Sequence, residues 1–142
     1  MVTKPSISAV RALMYIARHG AAGALPPRRI AEELKESPTY LAKVTRHLVR
    51  AGLLRVEHGV KGGVRMNRQP SEITLLQVVE ACQGAIVGDY CQPGCDMNFV
   101  CAYHRAAAEL HDAISGVLSR WTIAQLLEKP GSETHRPAGP QC

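Results

Sequence analysis

The strongest constraint on the fold is the order of helix starts and stops between residues 26 and 67. Pro26 and Pro27 open a short helix, Ser37 and Pro38 open a second, and Gly52 ends it. Serine suits the N-cap, proline the first helical turn, and glycine the position after the last turn. A glycine-rich turn then joins two short stretches of strand character. Helix, turn, helix and glycine-tipped hairpin is the order of a winged helix-turn-helix.

Further helices are predicted on both sides of this segment. Ser6–Arg18 carries apolar residues at three- and four-residue spacing, which is typical of an amphipathic helix. Ser71 or Thr74 begins another helix, and Thr74 has the capping-box pattern with Gln77. A long helix covers about 99–120, and Thr122 opens a short final one. From Lys129 onward the chain is rich in proline, glycine and polar residues, and we expect a disordered tail. The prediction is a mainly α protein with a small β-hairpin wing.

Charge is distributed unevenly along the chain. Residues 1–71 carry 13 Lys/Arg and 4 Asp/Glu, a net of +9, whereas residues 72–142 carry 4 and 8, a net of −4. This asymmetry favours a basic half that meets a polyanion. Aromatic residues make up only 4%, which argues against a stacking platform for single-stranded nucleic acid. Without an apolar run of about 18 residues or a signal-peptide pattern, we expect a cytoplasmic protein with no membrane contact.

The helix that follows Pro38 has two distinct faces. Leu41, Val44 and Leu48 recur at core spacing, and basic residues repeat at the same spacing on a rotated face. A helix that enters the major groove of double-stranded DNA needs cations for phosphates and side chains near its N-terminus for base edges. With one arginine of the preceding helix, the expected DNA contacts are Arg28, Thr39, Tyr40, Lys43, Arg46 and Arg50. The alternative is a solvated basic face with Tyr40 partly in the core.

The hairpin turn carries a second set of cations. Lys61 lies between glycines and is flanked by His58 and Arg65. Because glycine permits positive φ and close backbone approach, we expect this wing to lie along a phosphate backbone or enter a minor groove through these three residues. An ordinary surface hairpin is the alternative. The Lys-Ser/Thr of a phosphate-binding loop is absent, which argues against nucleotide binding.

A group of metal-binding side chains falls between residues 91 and 104: Cys91, Cys95, Cys101 and His104. Thiolates bind soft or borderline metals, and imidazole can complete four-coordination. This spacing leaves structural zinc, an iron–sulfur cluster and a metal-free thiol switch open, with unrelated free cysteines as a further alternative. We expect Cys82, in an apolar helix, to be a buried core thiol, and Cys142, in the tail, to be a free thiol.

The long helix has an apolar stripe that its own domain covers only in part. About 22 residues span about 33 Å at 1.5 Å per residue, and so long an apolar strip is rarely left in water. A second copy of the helix covers the strip by two-fold symmetry; packing entirely within one subunit is the alternative. The expected interface residues are Tyr103, Leu110, Ile114, Val117 and Trp121.

Six short motifs occur in an order that is specific when they are taken together. They are Ala9-Val-Arg-Ala-Leu-Met-Tyr-Ile-Ala17, Ile30-Ala-Glu-Glu-Leu34, Ser37-x-x-Tyr40-Leu41, Leu48-x-x-Ala51-Gly52-Leu53-Leu54, Gly59-x-x-Gly62-Gly63 and Ile73-Thr-Leu-Leu-Gln-Val-Val-Glu-Ala81. Over about residues 3–127, the sequence resembles the bacterial winged-helix regulators typified by the iron–sulfur cluster regulator and the nitric-oxide-sensing repressor (the IscR/NsrR type). Ala42 stands where the iron–sulfur regulator carries an acidic residue.

The resemblance implies a homodimeric transcriptional regulator, with repression favoured, that binds a pseudo-palindromic operator. Its DNA binding would be controlled by a 2Fe–2S or 4Fe–4S cluster that senses nitric oxide, redox state or iron status. The implied ligands are Cys91, Cys95 and Cys101, with His104 as the fourth. The implied regions are a winged helix-turn-helix in 1–70, a cluster-binding loop with dimerisation helices in 71–128, and a tail in 129–142.

Three other functions stay open at this point. A zinc-stabilised or thiol-switch DNA-binding regulator would use the same cysteines without an iron–sulfur cluster. A cysteine-rich metal carrier is a third reading, but a carrier has no need for Lys43, Arg46, Arg50 and Lys61 on one face. We expect no enzyme and no small-molecule substrate, because no nucleophile–base pair and no paired carboxylates stand out in the sequence.

Overall fold

The computed structural model describes residues 2–86 and 102–128, with the backbone alone at 102 and 103. Cys91, Cys95, Cys101 and the tail 129–142 lie outside the described residues. The helices and strands are α1 (Lys4–His19), α2 (Pro27–Leu34), α3 (Pro38–Arg50), β1 (Leu54–Glu57), β2 (Gly63–Met66), α4 (Leu75–Gln83), α5 (Ala102–Arg120) and α6 (Ile123–Glu128). The prediction of a mainly α protein with a β-hairpin is confirmed. No helix in the described ranges is long and apolar enough to cross a membrane.

Three of the predicted helix starts, at Ser37, Thr74 and Thr122, are confirmed by capping hydrogen bonds, whereas the first helix begins at Lys4, two residues before the predicted Ser6. The Ser37 side chain accepts a 3.1 Å hydrogen bond from the backbone nitrogen three residues on. Thr74 and Gln77 form a reciprocal capping box at the start of α4. Thr122 and Gln125 make the same exchange at the start of α6. Each cap satisfies backbone N–H groups that have no partner inside the helix.

One continuous apolar core joins the helix-turn-helix to the later helices. Leu13 and Ile16 of α1 are fully buried, and the apolar faces of α2 and α3 pack in the same cluster. Ile73, Val78 and Ile123 belong to this cluster as well. The segments around α4 and α6 therefore help to hold α1 and α3 in place.

The hairpin is anchored to the helical core by an isolated β-bridge. Strands β1 and β2 pair antiparallel, and Leu25 forms an isolated bridge with Val64 through two backbone hydrogen bonds of 2.9 Å. A Cβ at Gly63 would lie 2.4 Å from the backbone carbonyl of Leu25. Glycine at this position is therefore required by the close approach of the two chain segments.

We predict that Gly63→Ala destabilises the protein by about 3 kcal/mol, because the added methyl group separates Leu25 from the hairpin. The free energy of unfolding in urea, followed by circular dichroism, measures this. Gly20→Ala is the matched control, since its Cβ would meet only a methyl group of Ile16 at 3.6 Å, and it should change stability by less than about 0.5 kcal/mol. Equal effects of the two substitutions would show that the anchor is unimportant.

Candidate nucleic-acid interface

The two faces of α3 are separated as the sequence predicts. Leu41, Val44 and Leu48 are at most 1% exposed. Lys43, Arg46 and Arg50, which we call the α3 basic stripe, are exposed together with Thr39 at the N-terminal end. Because the apolar face is buried in the core, the α3 basic stripe faces solvent.

The α3 basic stripe is electrostatically available to a ligand. Within residues 2–86 and 102–128, Lys43, Arg46 and Arg50 form no ion pair with any carboxylate. A surface groove of about 580 Å³ lies at the first half of the stripe, lined by Pro38, Thr39, Ala42, Lys43 and Arg46. The short side chain of Ala42 leaves space between longer polar ones, which suits the approach of a base edge.

Tyr40 does not join the α3 basic stripe. It is half-buried and packs against the core, and its hydroxyl is enclosed with no hydrogen-bond partner among the described residues. Lys4 places its ammonium 5.5 Å from the centre of the Tyr40 ring, within reach of a cation–π contact. A contact from this hydroxyl to a DNA phosphate would require the side chain to move.

The turn between α2 and α3 is tied to α1 by a polar contact that the sequence reasoning missed. Ser8 Oγ donates to Glu36 Oε1 at 3.0 Å, and Arg11 Nη1 lies 3.9 Å from the same oxygen. Arg11 also donates to the backbone oxygen of Leu34 at 3.2 Å. These contacts fix the end of α2 and the entry to α3. No local pattern signals these contacts, because the partners are 23 to 28 residues apart.

Arg28 lies at the exposed start of α2. Its Nε donates to Glu32 Oε1 at 3.3 Å, and the two side chains are 82% and 64% exposed. Exposed pairs of this kind contribute about 0–1 kcal/mol. The guanidinium of Arg28 therefore remains accessible to solvent and to a phosphate.

The hairpin places its three expected cations in two different environments. His58 and Lys61 are exposed at the tip, and neither forms an ion pair within the described part of the chain. Arg65 is half-buried and donates through Nη1 to Glu57 Oε1 at 3.1 Å. Arg55 Nη2 lies 3.5 Å from the same oxygen. Arg55 and Glu57 are not among the residues predicted from the sequence, although the two-residue period of a strand puts them on one face.

The stripe predicted along α5 is divided between two faces. Leu110 is 61% exposed and Val117 is 45% exposed, and exposed Ala106 and Ala113 continue the same face. We call these four residues the α5 apolar strip. Ile114 is half-buried and turns partly toward the rest of the chain.

Two other residues that the sequence predicts at the α5 interface are not part of the α5 apolar strip. Trp121, after the end of α5, is half-buried, and its backbone oxygen accepts a 2.9 Å hydrogen bond from the backbone nitrogen of Leu75. Tyr103 lies in the helix, but its side chain is outside the description. Leu110 and Val117 are therefore the better candidates for contact with a second copy.

The candidate metal ligands are described only at His104. This residue is the third of α5 and is half-buried. Residues 2–86 and 102–128 on their own contain no group of three metal-binding side chains, so the four-ligand site stays a prediction. Cys82 is half-buried against the core, and its burial raises the pKa of the thiol.

Comparison with known proteins places this architecture in one family. The chain matches the Rrf2 model, described as iron-dependent transcriptional regulator, over residues 2–129. It is 34% identical over 131 residues to Protein aau3 of Rhizobium meliloti, covering 89% of this chain and 84% of that protein. It is 31% identical over 121 residues to the transcriptional regulator IscR of Serratia proteamaculans, covering 84% and 74% respectively.

A solved structure with the same fold is the oxidized form of CymR from Staphylococcus aureus. The TM-score is 0.73 at 23% identity, and the match covers 93% of this chain and 99% of CymR. At this identity the likeness concerns the fold alone, and it confirms the predicted winged-helix architecture. From the family match and the sequence relatives we conclude that the chain belongs to the Rrf2 family of DNA-binding transcriptional regulators, and is not an enzyme.

Proposed function

We propose that this chain is a homodimeric repressor that binds a pseudo-palindromic DNA operator through α3 and the hairpin wing. The observation that carries the proposal is the α3 basic stripe, exposed on a helix whose opposite face is fully buried. A regulator of chromosomal genes acts where the DNA lies, so we place it in the cytoplasm.

The first half of α3 is suited to reading bases. Thr39 and Lys43 line the groove beside Ala42, and a lysine ammonium can donate to O6 and N7 of guanine. Arg46 and Arg50, further along the helix, are suited to phosphates. Phosphate contacts fix the position of a protein on DNA, whereas base contacts supply sequence preference.

The wing supplies further phosphate contacts beside the helix. Lys61 and His58 are exposed at its tip, and the bridge between Leu25 and Val64 holds the hairpin against the helical core. We propose that the tip follows the backbone or enters a minor groove next to the site of α3. Arg28 at the start of α2 adds another exposed cation, whereas Arg65 in the wing is paired with Glu57 and reaches a phosphate only when that pair opens.

The α5 apolar strip is proposed as the dimer interface. Leu110 and Val117 are large exposed apolar side chains, and Ala106 and Ala113 on the same face allow a second helix to approach closely. A two-fold interface pairs the same surface on both subunits. The same symmetry places two copies of α3 on successive turns of the DNA, as a pseudo-palindromic operator requires.

The chemistry of the predicted donor set fits an iron–sulfur cluster. Cysteine thiolates hold such clusters, and histidine replaces cysteine in some of them. We propose that Cys91, Cys95, Cys101 and His104 hold a 2Fe–2S or 4Fe–4S cluster, which supplies one-electron redox chemistry when bound. His104 belongs to α5, so these ligands would adjoin the proposed dimer helix. DNA binding would then respond to nitric oxide, redox state or iron status.

A second candidate keeps the same DNA-binding dimer and uses the cysteines without an iron–sulfur cluster. Zinc accepts three thiolates and one imidazole, and three clustered thiols can instead act as a redox switch. The solved relative in fold, CymR, is a protein whose structure is known in an oxidized form. The two candidates differ in colour, because only an iron–sulfur cluster gives a brown protein.

We predict that anaerobically purified wild-type protein is brown and that Cys91→Ala, Cys95→Ala and Cys101→Ala each abolish the visible absorbance. Cys142→Ala is the control and should keep the full spectrum. His104→Ala should shorten the lifetime of the chromophore in air. A colourless wild-type protein with one zinc per chain would support the second candidate instead.

We predict that Arg46→Ala and Lys61→Ala weaken binding to duplexes of every sequence. Each lost phosphate contact lowers the slope of log affinity against log salt concentration by about 0.9, or about 1.8 for a dimer. Lys43→Ala should instead cost roughly 1–3 kcal/mol at one base pair and relax the preference there. Fluorescence anisotropy titrations at several salt concentrations measure both effects.

The control for these DNA variants is Arg18→Ala, which removes the same charge from the exposed end of α1, outside α3 and the wing. It should leave the salt dependence nearly unchanged. An equal loss of affinity for Lys43→Ala on preferred and random duplexes would place Lys43 at a phosphate rather than at a base.

We predict that Leu110→Glu converts the protein from dimer to monomer at micromolar concentration, because a carboxylate at the interface would be buried without a partner. Analytical ultracentrifugation measures the mass, and operator affinity should fall with it. Ala108→Glu is the control, since it adds the same charge on an exposed face of α5 away from the α5 apolar strip. A wild-type monomer, or a dimeric Leu110→Glu protein, would contradict the proposed interface.

A further inference from the structure

One face of the hairpin holds two arginines and a glutamate in contact with one another. Arg55 lies directly opposite Arg65 in the antiparallel register. Glu57 is two residues beyond Arg55, and alternate residues of a strand share a face. The three side chains are therefore brought together by the register itself, independently of the helices.

The carboxylate of Glu57 is shared by both guanidinium groups. Arg65 Nη1 donates to Glu57 Oε1 at 3.1 Å, and Arg55 Nη2 lies 3.5 Å from the same oxygen. The side chains are 36%, 52% and 38% exposed for Arg65, Arg55 and Glu57 respectively. Like charges directly opposite each other destabilise a strand pair, and the carboxylate between these two offsets their repulsion.

A DNA phosphate would compete with Glu57 for these guanidinium groups. Arginine binds carboxylates and phosphates with the same fork of N–H donors. The carboxylate also places a negative charge on a surface that approaches a polyanion. Lys61 and His58 at the tip form no ion pair with a carboxylate in the described part of the chain. The cations of the wing therefore differ in how readily they can bind a phosphate.

We propose that Glu57 is a specificity-determining residue that restrains phosphate contact by Arg65, and by Arg55 beside it. In the free protein the carboxylate of Glu57 is paired with the guanidinium of Arg65. This pairing keeps Arg65 from the phosphates of DNA that the protein binds without sequence preference. Phosphate contacts supply essentially all binding to DNA of arbitrary sequence. Glu57 therefore lowers non-specific binding. This inference rests on the proposed contact between the wing and DNA.

The test measures affinity for a 30-base-pair duplex of random sequence over a range of NaCl concentrations, with full-length protein. Glu57→Gln keeps an oxygen that can accept from Arg65 and removes the charge. It should raise affinity about fivefold and steepen the salt slope by about 1.8 for a dimer, since each wing gains one phosphate contact. Glu80→Gln is the matched control, because it removes the same charge from an exposed site on α4.

Arg65→Ala separates restraint from a general change of charge. In the wild-type background it should change affinity for the random duplex by less than twofold, because Glu57 already holds Arg65. In the Glu57→Gln background it should remove most of the fivefold gain. Thermal unfolding within about 2 °C of wild type for each variant would show that the fold is intact.

Two results would overturn the inference, and the effect of Lys61→Ala separates its failure from the failure of the proposed function. The inference fails if Glu57→Gln behaves like Glu80→Gln, or if Arg65→Ala weakens binding equally in both backgrounds. If Lys61→Ala lowers affinity while Glu57→Gln has no effect, the wing contacts DNA and only the role of Glu57 is wrong. If Lys61→Ala also has no effect, the proposed contact of the wing with DNA fails, and the inference with it.

Discussion

The burial of one face of α3 is the constraint on which the rest of the molecule depends. Leu41, Val44 and Leu48 are enclosed by α1 and the neighbouring helices, so α3 cannot rotate without exposing apolar surface. Rotation would cost about 25 cal/mol for each square ångström returned to water. The α3 basic stripe is therefore presented in one fixed direction. Ser8 and Glu36 add a polar contact that fixes where the helix begins.

The wing extends the same surface because its backbone is joined to the helical core. A two-stranded hairpin is marginal alone in water, and the isolated Leu25–Val64 bridge ties this one to the chain that precedes α2. Lys61 is thereby held in a defined place relative to α3, although it lies on a turn. Within the wing, the charge of Glu57 opposes that of the arginines, so the proposed affinity of the wing for DNA would reflect a balance of charges rather than a count of cations.

Much of the fold could be predicted from local sequence because the signals are local. Ser37, Thr74 and Thr122 cap helices through residues only three positions away, and the two faces of α3 follow from helical spacing. Contacts between residues far apart in the sequence leave no local sequence pattern. The enclosure of the Tyr40 hydroxyl and the Ser8–Glu36 contact depend on how helices pack, which spacing alone does not determine.

The α5 helix shows the same limit within one element. The three- and four-residue spacing of its apolar residues correctly predicts a helix, but the single stripe that it also predicts is divided between two faces. The spacing does not show that Ile114 is half-buried against the rest of the chain while Leu110 and Val117 are exposed to solvent. That division depends on the neighbouring α4, whose position is set by the shared core.

The most direct test of the account is to select duplexes from a random pool with wild-type protein and to sequence those that are retained. The account predicts an inverted repeat whose half-sites lie about one DNA turn apart, about 10–10.5 base pairs centre to centre or a multiple of it, with two chains bound per duplex. Enrichment of a single asymmetric site, or binding of one chain per duplex, would contradict a two-fold dimer that reads DNA with paired α3 helices.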